Sequence, residues 1–262
     1  MKLSAKRIEK KSKYLKVLSF DYVDSTNSIA KRYALRGFCE GYTIVSTEQS
    51  RGRGRLGRSF VSQKGGVYFS IILRPEKSAE DVLLITAAAA VAAARAIEAV
   101  SRKKCEIKWV NDVYIDGKKV CGILTEGAFL RRGSLYYAVL GVGINVFMPK
   151  DKFPAELQHA GSIFGRKWGF FAKKHKLEQI TAAFANNFFE IYNDLPQKTF
   201  IKEYRERSLL TNKEITYIKD NNTHAATVIG IDDNAHLVIK EQGETKVLSQ
   251  GEVQIVGIEG IK

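Results

Sequence analysis

The chain has 262 residues, 45% of them hydrophobic and only 4 of them proline, so one large or two unequal packed domains are expected and disorder is excluded as the main state. A formal net charge of +14 calls for an anionic partner: nucleic acid, membrane surface, phosphorylated small molecule or acidic protein. The three cysteines, Cys39, Cys105 and Cys121, show no C-x-x-C spacing and have no histidine in metal-ligand register, which argues against structural zinc and suits a reducing cytoplasm.

The N-terminus, "MKLSAKRIEKKSKYLKVLSF", is basic with no continuous apolar stretch behind it, so no secretory signal is expected. Its "KRIEKKSKYLK" segment reads as a solvated or fraying end. "YLKVLSFDYV" alternates like a strand and leads into a helix over "DSTNSIAKRYALRG", capped by Ser25 or Thr26 and ended by Gly37. "GYTIVSTEQ" is a second strand that runs into the loop "QSRGRGRLGRSF", and "GGVYFSIILRP" is a third, closed by Pro75.

Residues 79 to 102 predict a helix too apolar for a solvated face, so it should lie against the sheet. Its apolar run, "VLLITAAAAVAAA", is too short and too alanine-rich to span a bilayer, and no membrane association is expected. "CEIKWVNDVYIDGKKVCGILTEGAF" reads as two strands hinged at Asp116-Gly117, and "LYYAVLGVGINVF" as a further strand. Residues 167 to 208 are mostly helical in pattern. From about residue 212 short alternating strands take over. The expected class is α+β: a main domain over 1–211 with one mostly antiparallel sheet and packed helices, and a small β domain over 212–262. No internal repeat or low-complexity linker is visible.

The glycine-arginine loop joins backbone that can approach a ligand closely to planar cationic forks suited to phosphate or carboxylate oxygens. Three readings fit it: an anion-enclosing loop, a solvated surface loop or an RGG-like nucleic-acid contact. It is not a P-loop, because the G-K-[ST] ending is missing. In the hairpin, a regular two-residue turn pairs Tyr114 with Lys119 and Asp112 with Cys121, and puts Lys108, Asp112, Tyr114 and Lys119 on one face. Such a face is either wet, with ordinary ion pairs, or holds a charged ligand. Gly122 makes room for something to approach.

Taken in order, "DSTN", "EQSRGRGRLGRSF", "KWVND", "KKVCGILTE" and "GVGIN" resemble the biotin protein ligase family, and the C-terminal segment is similar to that family's small SH3-like β-barrel. The resemblance implies a biotin/lipoate ligase-like catalytic domain in which biotin and MgATP form biotinyl-5'-adenylate with release of pyrophosphate. A specific lysine of a biotin carboxyl carrier protein, as in acetyl-CoA carboxylase, then accepts the biotin.

By matching motif positions, Ser25, Thr26, Asn27, Gln49, Gly52, Gly54 and Gly122 are expected around biotin. Lys119, Arg53 and Arg55 are expected to be catalytic and to touch biotin as well. Arg55, Arg58, Phe60, Asn111, Asp112, Lys119 and Asn145 are expected on the ATP side, with Mg2+ carried mainly by ATP and Asp112 a candidate ligand. Val110 stands where the family usually has proline, Phe60 where it often has tryptophan, and Leu56 where it often has a second arginine.

Fewer than about 20 residues precede the first strand, too few for the winged helix-turn-helix of bifunctional members, so sequence-specific DNA binding is not expected. A homodimer is possible through a free sheet edge. The competing readings are a lipoate or octanoate ligase of the same architecture and a nucleic-acid module, although only Phe60 is interleaved with the basic loop residues.

Overall fold

Leu3, Ile8 and Leu15 correct the first expectation. Ser4 caps α1 (Ala5–Lys11), and Ile8 and Leu3 are buried in the main core. Ser4 N donates to Glu178 Oε1 at 2.7 Å, and Asn186 Nδ2 donates to the Lys11 carbonyl at 2.9 Å. The basic N-terminus is therefore a docked amphipathic helix, not a fraying end. Its few apolar side chains fall on one face, which an average over a lysine-rich segment hides. This computed structural model describes residues 1–75, 81–130, 135–219, 222–249 and 253–256. The expected helix start at 79–80 and the tail of the last strand at 257–258 lie outside the described residues.

The main domain follows in the order β1 (Lys16–Phe20), α2 (Thr26–Leu35), β2 (Tyr42–Ser46), β3 (Val67–Leu73), α3 (Asp81–Ser101), β4 (Glu106–Lys108), β5 (Asp112–Ile115), β6 (Lys118–Phe129), β7 (Leu135–Ile144), α4 (Phe170–Asn193) and α5 (Ile201–Glu206). The seven strands pair in the order β1-β2-β3-β7-β6-β5-β4, and only β1 and β2 run parallel. Alternation along β3 explains the layers: Val67, Phe69, Ile71 and Leu73 face the main core with α3 and α4, while Ile72 joins Ile29, Ala30, Ala34 and Val139 under α2.

The expectation that the apolar run is too short to span a bilayer is corrected by the helix around it: among the described residues, Val82–Ser101 of α3 is long and apolar enough to cross a membrane, but most of it is packed inside the protein. Every residue from Ala87 to Ala94 is fully buried, and the small side chains let α4 and β6 approach closely. The expected C-terminal β domain is present as β8 (Glu214–Lys219), β9 (Asn222–Ile231), β10 (Leu237–Glu241), β11 (Glu244–Leu248) and β12 (Val253–Ile255), an antiparallel sheet in the order β11-β10-β9-β8-β12. Helix α2 packs on β2, β3 and β7. The rest of the sheet face under it carries the site.

Candidate active site

One end of the site is built by the start of α2. Ser25 Oγ accepts from Ser28 N at 3.4 Å and caps the helix. Thr26 donates to Gln49 Oε1 from both its backbone N, at 2.8 Å, and its hydroxyl, at 3.1 Å. Gln49 Nε2 donates to Ser62 Oγ at 2.8 Å. From β3, Ser70 Oγ lies 2.8 Å from Thr26 Oγ1 and 2.5 Å from Asn27 Oδ1. A methyl group on Gly141 would stand 2.0 Å from Asn27 Oδ1, so glycine is required there for α2 to sit on the sheet.

The other end depends on an irregularity. Asp116 and Gly117 form the expected turn, with φ of 50° and 70°, and Tyr114 pairs with Lys119 as expected. A β-bulge then absorbs Val120, so Asp112 pairs with Gly122 and Val113 with Cys121, which corrects the expected partnership of Asp112 with Cys121. The bulge has a chemical consequence. In regular alternation Lys119 would share the core-facing side with Cys121; instead it lies with Gly122 on the open face, its Nζ 2.6 Å from Asp112 Oδ2. Tyr114, expected on that face, is buried in the core, and burial together with the Asp112 charge raises its hydroxyl pKa. Burial also pushes the Cys121 thiol up, so it is no nucleophile.

Between these ends lies a cavity of about 140 Å³. Its floor includes Gly122, Gly141 and Gly143, and Phe60 lies directly on two of them. Added methyl groups at Gly122 and Gly143 would come within 2.7 and 2.5 Å of the Phe60 ring. The Lys119 ammonium is 5.9 Å from the centre of the same ring.

The glycine-arginine loop arches over the cavity as a narrow β-like lobe. Gln49 bridges Ser62, Arg53 bridges Ser59, and a 3₁₀ turn at Arg55–Gly57 forms the tip. Leu56 takes the left-handed conformation there, with φ of 54°, and is 72% exposed, so it contributes shape and not packing. Arg55 donates to Asn111 Oδ1 at 3.1 Å, and Asn111 Nδ2 donates to the Ile123 carbonyl at 2.9 Å. Arg53 reaches the opposite end, 3.3 Å from Glu126.

Ser25, Thr26, Asn27, Gln49, Arg53, Gly54, Arg55, Arg58, Phe60, Asn111, Asp112, Lys119 and Gly122 all line this one cavity. Gly52 and Asn145 do not. Gly52 is buried under the loop, where a methyl group would meet the Phe60 carbonyl at 2.2 Å, so it lets the lobe close on itself. Asn145 is buried beyond the end of β7, where its backbone joins Val120 and Ile163.

Lys108, expected on the same face as Asp112 and Lys119, is buried and lines the cavity with them. The site also contains Trp109, Gly141 and Gly143, which were not among the expected site residues, and β12 contributes Val253. Glu126 is legible in hindsight, because it follows Gly122 and Leu124 at a period of two on β6. Nothing local marks Val253. Asp112 is the single carboxylate in the lining, and its Oδ1 is buried without a hydrogen-bond partner. That leaves one oxygen for a hard cation that brings its remaining ligands with it; among the described residues no cluster of acids, histidines or cysteines could hold a metal alone.

The fold and this two-ended trough define the acyl-activating type shared by biotin and lipoate ligases, and the model of the "Biotin/lipoate A/B protein ligase family" matches residues 19–145. The chain is 30% identical over 239 residues to the bifunctional ligase/repressor BirA of Bacillus spizizenii, covering 90% of this chain and 72% of that protein. It is 35% identical over 125 residues to the biotin--[acetyl-CoA-carboxylase] ligase of Paracoccus denitrificans, covering 47% of this chain and 51% of that one. The biotin protein ligase of Aquifex aeolicus, solved in complex with biotin and ATP, superimposes with a TM-score of 0.70 at 25% identity, over 92% of this chain and 97% of that one. The chain belongs to the biotin protein ligase family.

Proposed function

We propose that the protein joins biotin to ATP as biotinyl-5'-adenylate and passes the biotin to a lysine of a carrier protein of the acetyl-CoA carboxylase type. The observation that carries this reading is the juxtaposition, on one glycine-floored trough, of a neutral hydrogen-bonding end and a cationic end. Ser25, Thr26 and Gln49 offer donors and acceptors suited to a ureido ring. The glycine floor and Phe60 suit the aliphatic chain, whose carboxylate then reaches Lys119.

The reaction needs no enzyme nucleophile. A biotin carboxylate oxygen attacks the α-phosphorus of ATP, the bond to pyrophosphate breaks, and a mixed anhydride forms. Lys119 would hold the two anions together, with Arg55 and Arg58 neutralising phosphate charge as it grows. Asp112 would keep Lys119 oriented and offer its free Oδ1 to Mg2+. Bound with ATP, that ion would screen the phosphate charge. In the second half-reaction the acceptor amine attacks the anhydride carbonyl, forming an amide and releasing AMP.

Incubation with biotin, MgATP and a carrier domain should add one biotinyl group to the acceptor lysine, read as an intact-mass shift. No shift on any carrier, together with no biotin-dependent pyrophosphate exchange, would overturn the proposal. Calorimetric titration with biotin and lipoate separates this reading from a lipoate ligase.

A further inference from the structure

Glu126 touches neither the cationic end nor the floor of the trough, yet it is the point where three elements meet. Its carboxylate is 17% exposed and takes Lys31 Nζ on Oε1 at 2.6 Å, Arg53 of the arching loop on the same oxygen at 3.3 Å, and Asn27 Nδ2 on Oε2 at 2.8 Å. Burial raises its pKa, but hydrogen bonds from Lys31 and Asn27 and the charges of Lys31 and Arg53 outweigh this and hold it below the usual carboxylate range. Asn27 passes the connection on. Its Oδ1 lies 2.5 Å from Ser70 Oγ, which lies 2.8 Å from Thr26 Oγ1, which donates to Gln49.

A continuous polar chain thus runs from the loop arginine, through Glu126 and Asn27, to the side chains that offer hydrogen bonds at the neutral end. Among the side-chain contacts that hold the loop are Arg55 on Asn111 at the cationic end and Arg53 on Glu126 here. Asn27 cannot recede, because its amide sits over Gly141, where even a methyl group would overlap it.

We infer that Glu126 is a positioning residue that couples occupancy of the neutral end to closure of the glycine-arginine loop, and so retains the activated acyl adenylate until an acceptor arrives. This rests on the adenylate-forming reading proposed above. A ligand ring that orders Thr26 and Gln49 also orders Asn27. Asn27 fixes the Glu126 carboxylate, and Glu126 holds Arg53 and the lobe it belongs to. The role assigns Arg53 to closure at the ring end and leaves the phosphate charge to Arg55, Arg58 and Lys119. Because Arg53 is 48% exposed, the pair is screened, and its effect should be measured in retention of the intermediate and not in folding.

The test compares Glu126→Gln, Arg53→Gln, the double variant and Lys31→Met. Hydrogen exchange of residues 50–60 is followed with and without biotin, and release of biotinyl-5'-adenylate is followed by rapid filtration. Each of Glu126→Gln and Arg53→Gln should speed adenylate release about fivefold, as expected for a partly exposed pair. The double variant should be no faster than either single one, while Lys31→Met, which leaves the Arg53 contact intact, should stay within about twofold of the parent. Exchange in the loop should be faster in Glu126→Gln even without ligand, a readout that does not depend on the chemistry. Unchanged release, additive effects, or slower release on freeing Arg53 would overturn the coupling. A parent protein that makes no adenylate while the loop still responds to Glu126→Gln would instead count against the proposed function.

Discussion

Lys119 and Asp112 show how much a single residue's role depends on its partner. Each is charged in a partly buried setting, Lys119 bonds Asp112 Oδ2, and Asp112 Oδ1 has no hydrogen-bond partner. Lys119→Ala should therefore act twice. It should lower the rate of adenylate formation by about 100-fold or more, as expected for loss of a positioned charge, and cost about 1–3 kcal/mol because the Asp112 carboxylate is left unpaired. Combining it with Asp112→Asn should recover most of the stability and none of the activity, as checked by denaturant titration beside pyrophosphate exchange. Gly141→Ala carries a different signature. Its methyl group overlaps Asn27 at 2.0 Å, so biotin binding should fall by about tenfold or more in calorimetry, whereas the nearest atoms to a Gly143→Ala methyl group are those of the movable Phe60 ring, so it should cost less. At this scale the motifs were highly informative: of the residues expected from spacing and resemblance, Gly52, Asn145 and Tyr114 fall outside the cavity lining. Gly52 lies inside the loop and Asn145 just past the end of β7, and at neither does the motif position reveal whether the residue faces ligand or supports its neighbour.

At the scale of elements, the bulge at Val120 and the docking of α1 separate what a pattern can say from what packing adds. Two-residue alternation places Asp112 opposite Cys121, but a bulge carries no reliable composition signal, and it alone returns Lys119 to the open face. The loop also combines opposing tendencies. Its arginines repel and its glycines favour freedom, while backbone bridges at Gln49–Ser62 and Arg53–Ser59 give it a folded form. We expect residues 51 to 58 to exchange faster without ligand than with biotin and ATP bound; equal protection in both states would contradict this. On the other side of the sheet, Arg207 ties α5 to α3: it reaches Glu98 at 2.7 Å and Glu203 at 2.8 Å, and Arg95 also reaches Glu203, at 2.6 Å. Burial raises the pKa of both carboxyls, but the arginine contacts outweigh it and leave them below their usual 4.5. Because the folded values are depressed, the stabilisation is complete above the unfolded value and is lost as pH falls through the folded ones. Melting temperature should therefore hold near neutrality and drop below about pH 4.5, and Arg207→Met should flatten that acid limb while costing about 3 kcal/mol at neutral pH.

Across the whole molecule the two sheets are not independent. Ile215, Val228, Leu237 and Val253 of the small domain belong to the same buried cluster as α3 and β6, Trp109 donates to the Ala235 carbonyl at 2.8 Å, and Val253 lines the ligand cavity. We therefore expect one cooperative calorimetric transition; two resolved transitions, with the C-terminal strands melting first, would show that the shared core is too weak to couple them. The net charge of +14 favours an acidic carrier surface, so acceptor biotinylation at low carrier concentration should slow as salt rises. The sequence by itself missed α1 and read β4 and β5 as one strand, but it determined the hairpin turn, the family, most residues of both ends of the trough and the order of most elements. These rest on local preferences and on side-chain chemistry tied to motif positions. Tertiary structure decided that a bulge sets Gly122 opposite Asp112 and turns Tyr114 into the core, that a lysine-rich terminus is a docked helix, that Glu126 joins loop to ring end, and that Val253 reaches the active site. Each of these depends on contacts between residues far apart in the chain, whose free energy comes from packing and pairing that no local pattern encodes.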